Sequence, residues 1–174
     1  MEYDFVLKFK LADASAVEDD AVERLGAAGC DDATVGIGVP GRIALNFTRE
    51  ASSAKQAIIS ALEDVKRAIP DVELIEVSPD LAGLSDIAEL VGVSRQNMRK
   101  LMMSHATAFP APVHDGSTAL WHLASVLEWL NGRSGYAIDK HLLDIARMAM
   151  QINLAKELQL LDKPVEKRVR ALVA

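Results

Sequence analysis

Cysteine is almost absent from this sequence. A single thiol, Cys30, in 174 residues rules out an internal disulfide and suits a reducing, cytoplasmic compartment. The acidic neighbours Asp31 and Asp32 disfavour its thiolate, so Cys30 is read as a small core residue and not as a reactive one. No apolar run reaches the roughly 18 residues needed to cross a membrane. The N-terminus, Met1-Glu2-Tyr3-Asp4, has no basic stretch ahead of an apolar one, so no secretory signal is expected. Metal-ligand spacing is missing as well. His105, His114, His122 and His141 are not paired with Cys or with one another at ligand spacing, so neither a metal nor a cofactor is expected. No Ser-His-Asp or Cys-His constellation can be drawn from the spacing, so the chain is not read as an enzyme.

Positive charge is also in short supply: 19 Lys and Arg stand against 25 Asp and Glu, a net charge of −6. The deficit is local. Residues 1–80 carry 8 basic and 16 acidic side chains, residues 81–134 carry 4 of each, and residues 135–174 carry 7 and 5. The acidity therefore belongs to the first part, and the remainder is free to meet phosphate through a local cluster of cations.

What is present is pattern. Tyr3, Phe5, Leu7 and Phe9 alternate with Glu2, Asp4, Val6 and Lys8, the period of a half-buried strand. Ser15 can cap a helix whose inward stripe is Val17, Ala21, Leu25 and Ala28, ended by Gly26 and Gly29. Val35, Ile37 and Val39 alternate next. Pro40-Gly41 turns the chain into a third strand of Ile43, Leu45 and Phe47. Ala54, Ile58, Leu62, Val65 and Ile69 follow at helical spacing and stop at Pro70, and Val72–Val77 is a last strand. The fold class expected is α+β. A ferredoxin-like βαββαβ module over residues 1–78 has two helices on one face of a four-stranded antiparallel sheet. Gly36-Ile37-Gly38-Val39-Pro40-Gly41 also matches G-x-G-x-x-G. The residues after it read as a strand, however, where a pyrophosphate would need a helix N-terminus. The pairs Asp19-Asp20, Asp31-Asp32 and Glu63-Asp64 are read as solvated faces or caps, and the methionines, including Met98, Met102 and Met103, as core filling.

Ser78-Pro79-Asp80 is the expected linker to a second unit over residues 81–132. Ser85 precedes a short helix with Ile87, Ala88 and Val91 inward. Gly92 supplies a sharp turn, Val93 plugs the corner, and Ser94 caps a second helix whose inward residues are Met98 and Leu101. Helices joined this way form a helix-turn-helix. The second helix offers Arg95, Gln96, Asn97, Arg99 and Lys100, side chains suited to base edges and phosphates, and its N-terminal dipole adds positive potential. Phe109-Pro110-Ala111-Pro112-Val113 then runs extended, Asp115-Gly116 signals a hairpin, Leu120-Trp121 returns, and a helix begins near Ala124. His122 is placed to touch phosphate, with a plain surface histidine as the alternative.

This stretch resembles the winged helix-turn-helix domains of the AlpA and excisionase type within the MerR-like superfamily. The resemblance rests on the helix-turn-helix string, on Phe-Pro-x-Pro, and on Trp121 followed by Val126-Leu127-Glu128-Trp129-Leu130. It implies major-groove contact by Arg95, Gln96, Arg99 and Lys100. It also implies contact of a wing, His114 with Ser117 and Thr118, with phosphate or the minor groove. The family's wing is usually basic, whereas this one offers His114, Asp115 and His122.

After a break at Asn131–Gly135, residues 136–162 read as one long helix with two apolar stripes. Ile138, Leu142, Ile145, Ala149 and Ile152 form one. Leu143, Ala146, Met150, Leu154, Leu158 and Leu161 form the other. Two stripes need two partners, so one is assigned to the chain itself and the other to a second copy in a homodimer. Residues 163–174 read as a basic tail. The function expected is a cytoplasmic, sequence-specific regulator of transcription bound to double-stranded DNA. An excision or DNA-bending factor is a close relative of that reading. The alternative is an interaction adaptor, with a protein or small-molecule partner at the acidic module and the helix-turn-helix kept as a scaffold.

Overall fold

Alternation governs the first strand, β1 (Glu2–Lys10): Tyr3, Phe5, Leu7 and Phe9 are buried, and Glu2, Asp4 and Lys10 are exposed. The computed structural model describes residues 1–12, 19–36 and 38–173. Ser15 and Val17 of the expected first helix and Ile37 of the expected second strand lie outside these. Strand β3 (Arg42–Glu50) pairs antiparallel with β1, setting Phe5 opposite Phe47, Leu7 opposite Leu45 and Phe9 opposite Ile43. The Phe5 and Phe47 rings stack 5.1 Å apart, a cross-strand contact of the kind that fixes register. With β2 (Ala33–Gly36) outside β3 and β4 (Glu73–Ser78) outside β1, the order is β2-β3-β1-β4, every pair antiparallel. β2 is shorter than its alternation suggests, because Val39 already sits exposed in the turn whose carbonyl accepts from Arg42 N–H at 2.9 Å.

Helices α1 (Asp19–Ala27) and α2 (Ala54–Ala68) cover the apolar side of this sheet. Ser53 Oγ accepts from Gln56 N–H at 3.2 Å and caps α2. The alanines Ala57, Ala61 and Ala68 let α2 lie close to the strands. Arg49 continues the inward parity of Ile43, Leu45 and Phe47 and is buried with them. Its five N–H donors all find acceptors: Asp32 takes two bonds at 2.7 and 3.0 Å, Asp64 one at 2.8 Å, Ser60 Oγ one at 3.1 Å and the Gly29 carbonyl one at 2.6 Å. Asp32 and Asp64 are thus partners of a buried cation and not the solvated carboxylates expected. Burial, and then the charge of Asp64, push the Cys30 thiol up to about 11.

The second unit has its own core. Its elements are β5 (Leu81–Ala82), α3 (Leu84–Leu90), α4 (Arg95–Ser104), β6 (Trp121–His122) and α5 (Leu123–Asn131). Ile87, Met98, Phe109, Trp121, Leu123 and Leu127 are among its buried residues. Strand β5, which alternation over two residues cannot reveal, pairs antiparallel with β6.

The helix expected over 136–162 is α6 (Lys140–Leu158), followed by a separate helix, α7 (Lys163–Val173), where a basic tail was expected. Asp139 caps α6 by accepting from His141 N–H at 2.8 Å, which leaves Tyr136 and Ile138 ahead of it. Both stripes of α6 are used within the chain up to about Ile152. Ile145 and Ala149 are buried in the sheet's core, whereas Leu143 and Ala146 are buried in the second core. The surface assigned to a second copy over this stretch is therefore already occupied. The linker is only Pro79 and Asp80, after a cis Ser78–Pro79 bond. The Asp80 carboxylate is buried and accepts from Asn153 Nδ2 at 2.8 Å, and Asn153 also bonds both backbone groups of Val77. No helix among the described residues is long and apolar enough to cross a membrane.

Because α6 belongs to both cores, urea unfolding followed by Trp121 and Trp129 fluorescence is expected to coincide with far-ultraviolet circular dichroism. Ile145→Ala is expected to cost about 2–5 kcal/mol and to shift both signals together. Two separated transitions in the wild type would refute the coupling. The raised Cys30 pKa stabilises the fold fully below the unfolded thiol's value and is lost as pH climbs towards 11. A thiol reagent at pH 8 is accordingly expected to label the native chain far more slowly than the urea-unfolded chain.

Candidate nucleic-acid interface

The angle between α3 and α4 is set by four residues. Gly92 has φ +71°, the left-handed region that favours glycine. Around it, Gly92 N–H donates to the Glu89 carbonyl at 3.1 Å and Val93 N–H donates to the Ala88 carbonyl at 2.9 Å. These two bonds are the Schellman closure of a helix C-terminus. Val93 is partly buried against the second core, and Ser94 Oγ accepts from Asn97 N–H at 3.2 Å to open α4. At the other end of α3 the cap is Gly83, whose N–H donates to Asp86 Oδ2 at 3.0 Å, so Ser85 lies inside the helix and not ahead of it. Ile87, Ala88 and Met98 are buried between the two helices, and Val91 and Leu101 partly so.

One side of α4 is thereby anchored through Met98. At about 100° per residue, Gln96, Lys100 and Met103 face away from it, with Asn97 and Arg99 on the two flanks and Arg95 in the first turn nearer the Met98 side. All six are exposed. None of Arg95, Arg99 and Lys100 enters an ion pair among the described residues. The sequence has no acidic residue from Leu90 to His114, so these cations are not neutralised along the chain either. Met103 is 64% exposed and departs from the core role expected of it. Its position four residues after Arg99 and seven after Gln96 was the available signal.

Beyond α4 the chain is held by aromatics. Phe109 meets Trp121 at 6.2 Å and Trp129 at 5.0 Å, and Trp121 Nε1 donates to the Pro110 carbonyl at 3.0 Å, which ties the Phe-Pro-x-Pro segment to β6. His105 packs edge-on against Trp129, and the Arg133 guanidinium lies 4.1 Å over that ring. The expected hairpin is a single bridge between His114 and Leu120, with Asp115–Thr118 exposed at its tip. Gly116 lies under the His114 ring, where a β-carbon would collide with it. A cleft of about 490 Å³ separates this loop from the end of α4, with Met102, Met103, Phe109, Pro110, Asp115 and Trp121 among its lining residues. His114, Ser117 and Thr118 are thus exposed across a cleft from α4.

His122 does not join them. Its Nδ1 lies 2.7 Å from Asp80 Oδ1 and its side chain is 18% exposed. It lines a separate groove with Lys8, Glu76 and Lys156, on the side of the first sheet. The expected phosphate contact is replaced by a contact that joins β6 to the linker. No group of His, Cys, Asp and Glu suited to a metal occurs among the described residues.

Neither a protein-family model nor a curated protein nor a solved structure matches this chain.

A β-carbon at Gly92 would meet nothing within 4 Å, so the cost of Gly92→Ala is that of the backbone alone. It is expected to be about 1–2 kcal/mol. Ser94→Ala is expected to cost about 1 kcal/mol by loss of the cap. Urea titration of each variant measures both values, and a neutral Gly92→Ala would contradict the turn geometry.

Proposed function

We propose that the chain binds double-stranded DNA through the exposed face of α4 and acts as a sequence-specific regulator of transcription in the cytoplasm. The observation that carries this reading is the combination on α4: three cations outside any ion pair, two amides and no acidic residue in the sequence from Leu90 to His114, held at a fixed angle by the Gly92 turn. A helix of this kind fits a major groove about 12 Å wide. Arg95 and Arg99 suit guanine, Gln96 and Asn97 suit adenine, Lys100 suits phosphate, and Met103 suits a thymine methyl group. In this reading α3 and α4 are a helix-turn-helix, and the loop from His114 to Thr118 is a reduced wing that touches the backbone without adding positive charge. Residues 1–78 are read as a ferredoxin-like module, supported by the order β2-β3-β1-β4 with its two helices between the strands. The single buried thiol supports a reducing compartment.

The acidic balance of residues 1–80 favours a second reading, in which that module docks a basic protein and α4 is only a scaffold.

Binding to genomic fragments at a series of salt concentrations separates the two. Each phosphate contact contributes about −0.9 to the slope of log K against log salt, so the slope lies between about −0.9, with Lys100 alone on phosphate, and roughly −2.7 per copy, with all three cations on it. Arg95→Ala combined with Arg99→Ala is expected to weaken specific binding by tenfold or more, with circular dichroism unchanged. His122→Ala is expected to leave the slope as it was, because that ring is turned to Asp80. A double variant that binds the same fragment as tightly as wild type would overturn the DNA reading.

A further inference from the structure

The last 20 described residues, 154–173, break the burial pattern of the rest. Leu154, Leu158, Leu160, Leu161, Val165, Val169, Leu172 and Val173 are each 44–79% exposed, more than half of the large exposed apolar side chains in the described chain. α7 buries no residue at all. An 11-residue helix without support falls below the roughly 12–15 residues at which isolated helices become even marginal in water. It needs a surface to fold against.

We infer that this surface is a second copy of the chain: the end of α6 and α7 of one copy pack against the same elements of another, forming a homodimer. The spacing is that of helices meeting helices. Leu154 and Leu158 are four apart on α6, and Val165, Val169 and Leu172 are four and three apart on α7, so each helix carries its own apolar face. The eight exposed side chains together leave on the order of 800 Å² in solvent, about the area that each partner gives to a standard stable interface. Lys163, Lys167 and Arg170 fall on the opposite side of α7 from Val165, Val169 and Leu172, Arg170 pairs with Glu166 at 2.7 Å, and Arg168 flanks the apolar side. A DNA backbone would not cover an apolar seam. An anionic lipid surface would meet the basic side of α7, and vesicle binding in the test below separates it from a second copy. At the α6 end the seam meets a groove of about 650 Å³, where Leu154 lies with Leu81, Val113 and Leu120 beside the charged Lys8, Glu76, Lys156 and Glu157. Dimerisation thus moves from the middle of α6, which the chain occupies itself, to its end. The inference stands apart from the DNA reading and is tested without DNA.

Sedimentation of the full chain at ~100 μM, far above a micromolar Kd, is expected to show a dimer. Val165→Asp with Val169→Asp, and separately a chain ending after Asp162, are expected to raise the dimer Kd by about 30-fold or more. Measured well below the dimer Kd, the thermal unfolding of the two cores should not change in either, since α7 contributes nothing to them. A wild type that stays monomeric at that concentration would overturn the inference. So would variants that dimerise as tightly as wild type, or a monomeric wild type that co-sediments with phosphatidylserine vesicles.

Discussion

Ile145 and Ala146 are neighbours in sequence and are buried in different cores. That one constraint organises the molecule. α6 is the wall between the sheet of residues 1–78 and the helices of residues 81–131, and each side loses solvent only if the other is in place. A fully buried Leu or Ile contributes about 1.5–3 kcal/mol of transfer free energy, so Leu143 and Ile145 alone make the helix costly to detach from either side. The linker adds no slack. Pro79 and Asp80 are all that separate β4 from β5, and Asp80 is itself gripped by Asn153 of α6 and by His122 of β6. The two units therefore behave as one body, and the direction in which α4 points is fixed relative to the first sheet. A partner that altered the sheet's packing on α6 would reach α4 through rigid contacts and not through a swinging linker.

Much of this was legible in the residues, and the legible part has a common cause. Strand parity in β1 and β3, the Pro70 stop, the Gly92 turn and the Ser94 cap are all decided by side chains within a few positions of one another. The same parity placed Arg49 inward, and an arginine at a core position demands carboxylates. Asp32 and Asp64 were available and had been read as solvated only because each was considered with its own neighbour in sequence. What periodicity cannot say is which surface an apolar stripe will meet. The two stripes of α6 were correctly seen as needing two partners, but the second partner was the chain's own sheet or helices over residues 142–152 and not another copy. His122 and β5 failed for a related reason: both are defined by Asp80 and the return of β6 from 40 residues away.

Exposure on α4 follows from the same logic. With a single fully buried residue, Met98, and partial cover of Leu101 and Met102, α4 is held by one side and presents the rest. Its polar side chains are not consumed by the fold, unlike Lys8, Arg49 or Arg147, each of which has an acidic partner. The segment from Leu90 to His114 is free of acid, although the whole chain is acidic. Screening makes this local distinction matter, because charges more than about 8 Å apart in physiological salt hardly feel one another. On the DNA reading, phosphate would repel the acidic module and favour approach with α4 first.

The weak point of α4 is its small number of cations. On the DNA reading, three cations give a salt slope no steeper than about −2.7, and a fourfold rise in salt would then weaken a lone copy by at most roughly 40-fold. The loop from His114 to Thr118 cannot make up the loss, for it carries no Lys or Arg and one Asp. Two copies joined at residues 154–173 would double the cationic contacts at a fixed separation and turn the second contact into an intramolecular event. That can raise affinity by two or more orders of magnitude with no new side chain. If both proposals hold, the shortage of charge on α4 and the excess of apolar surface on α7 have one answer: a rigid body that would bind DNA weakly alone and would use two copies joined through the exposed C-terminal helix.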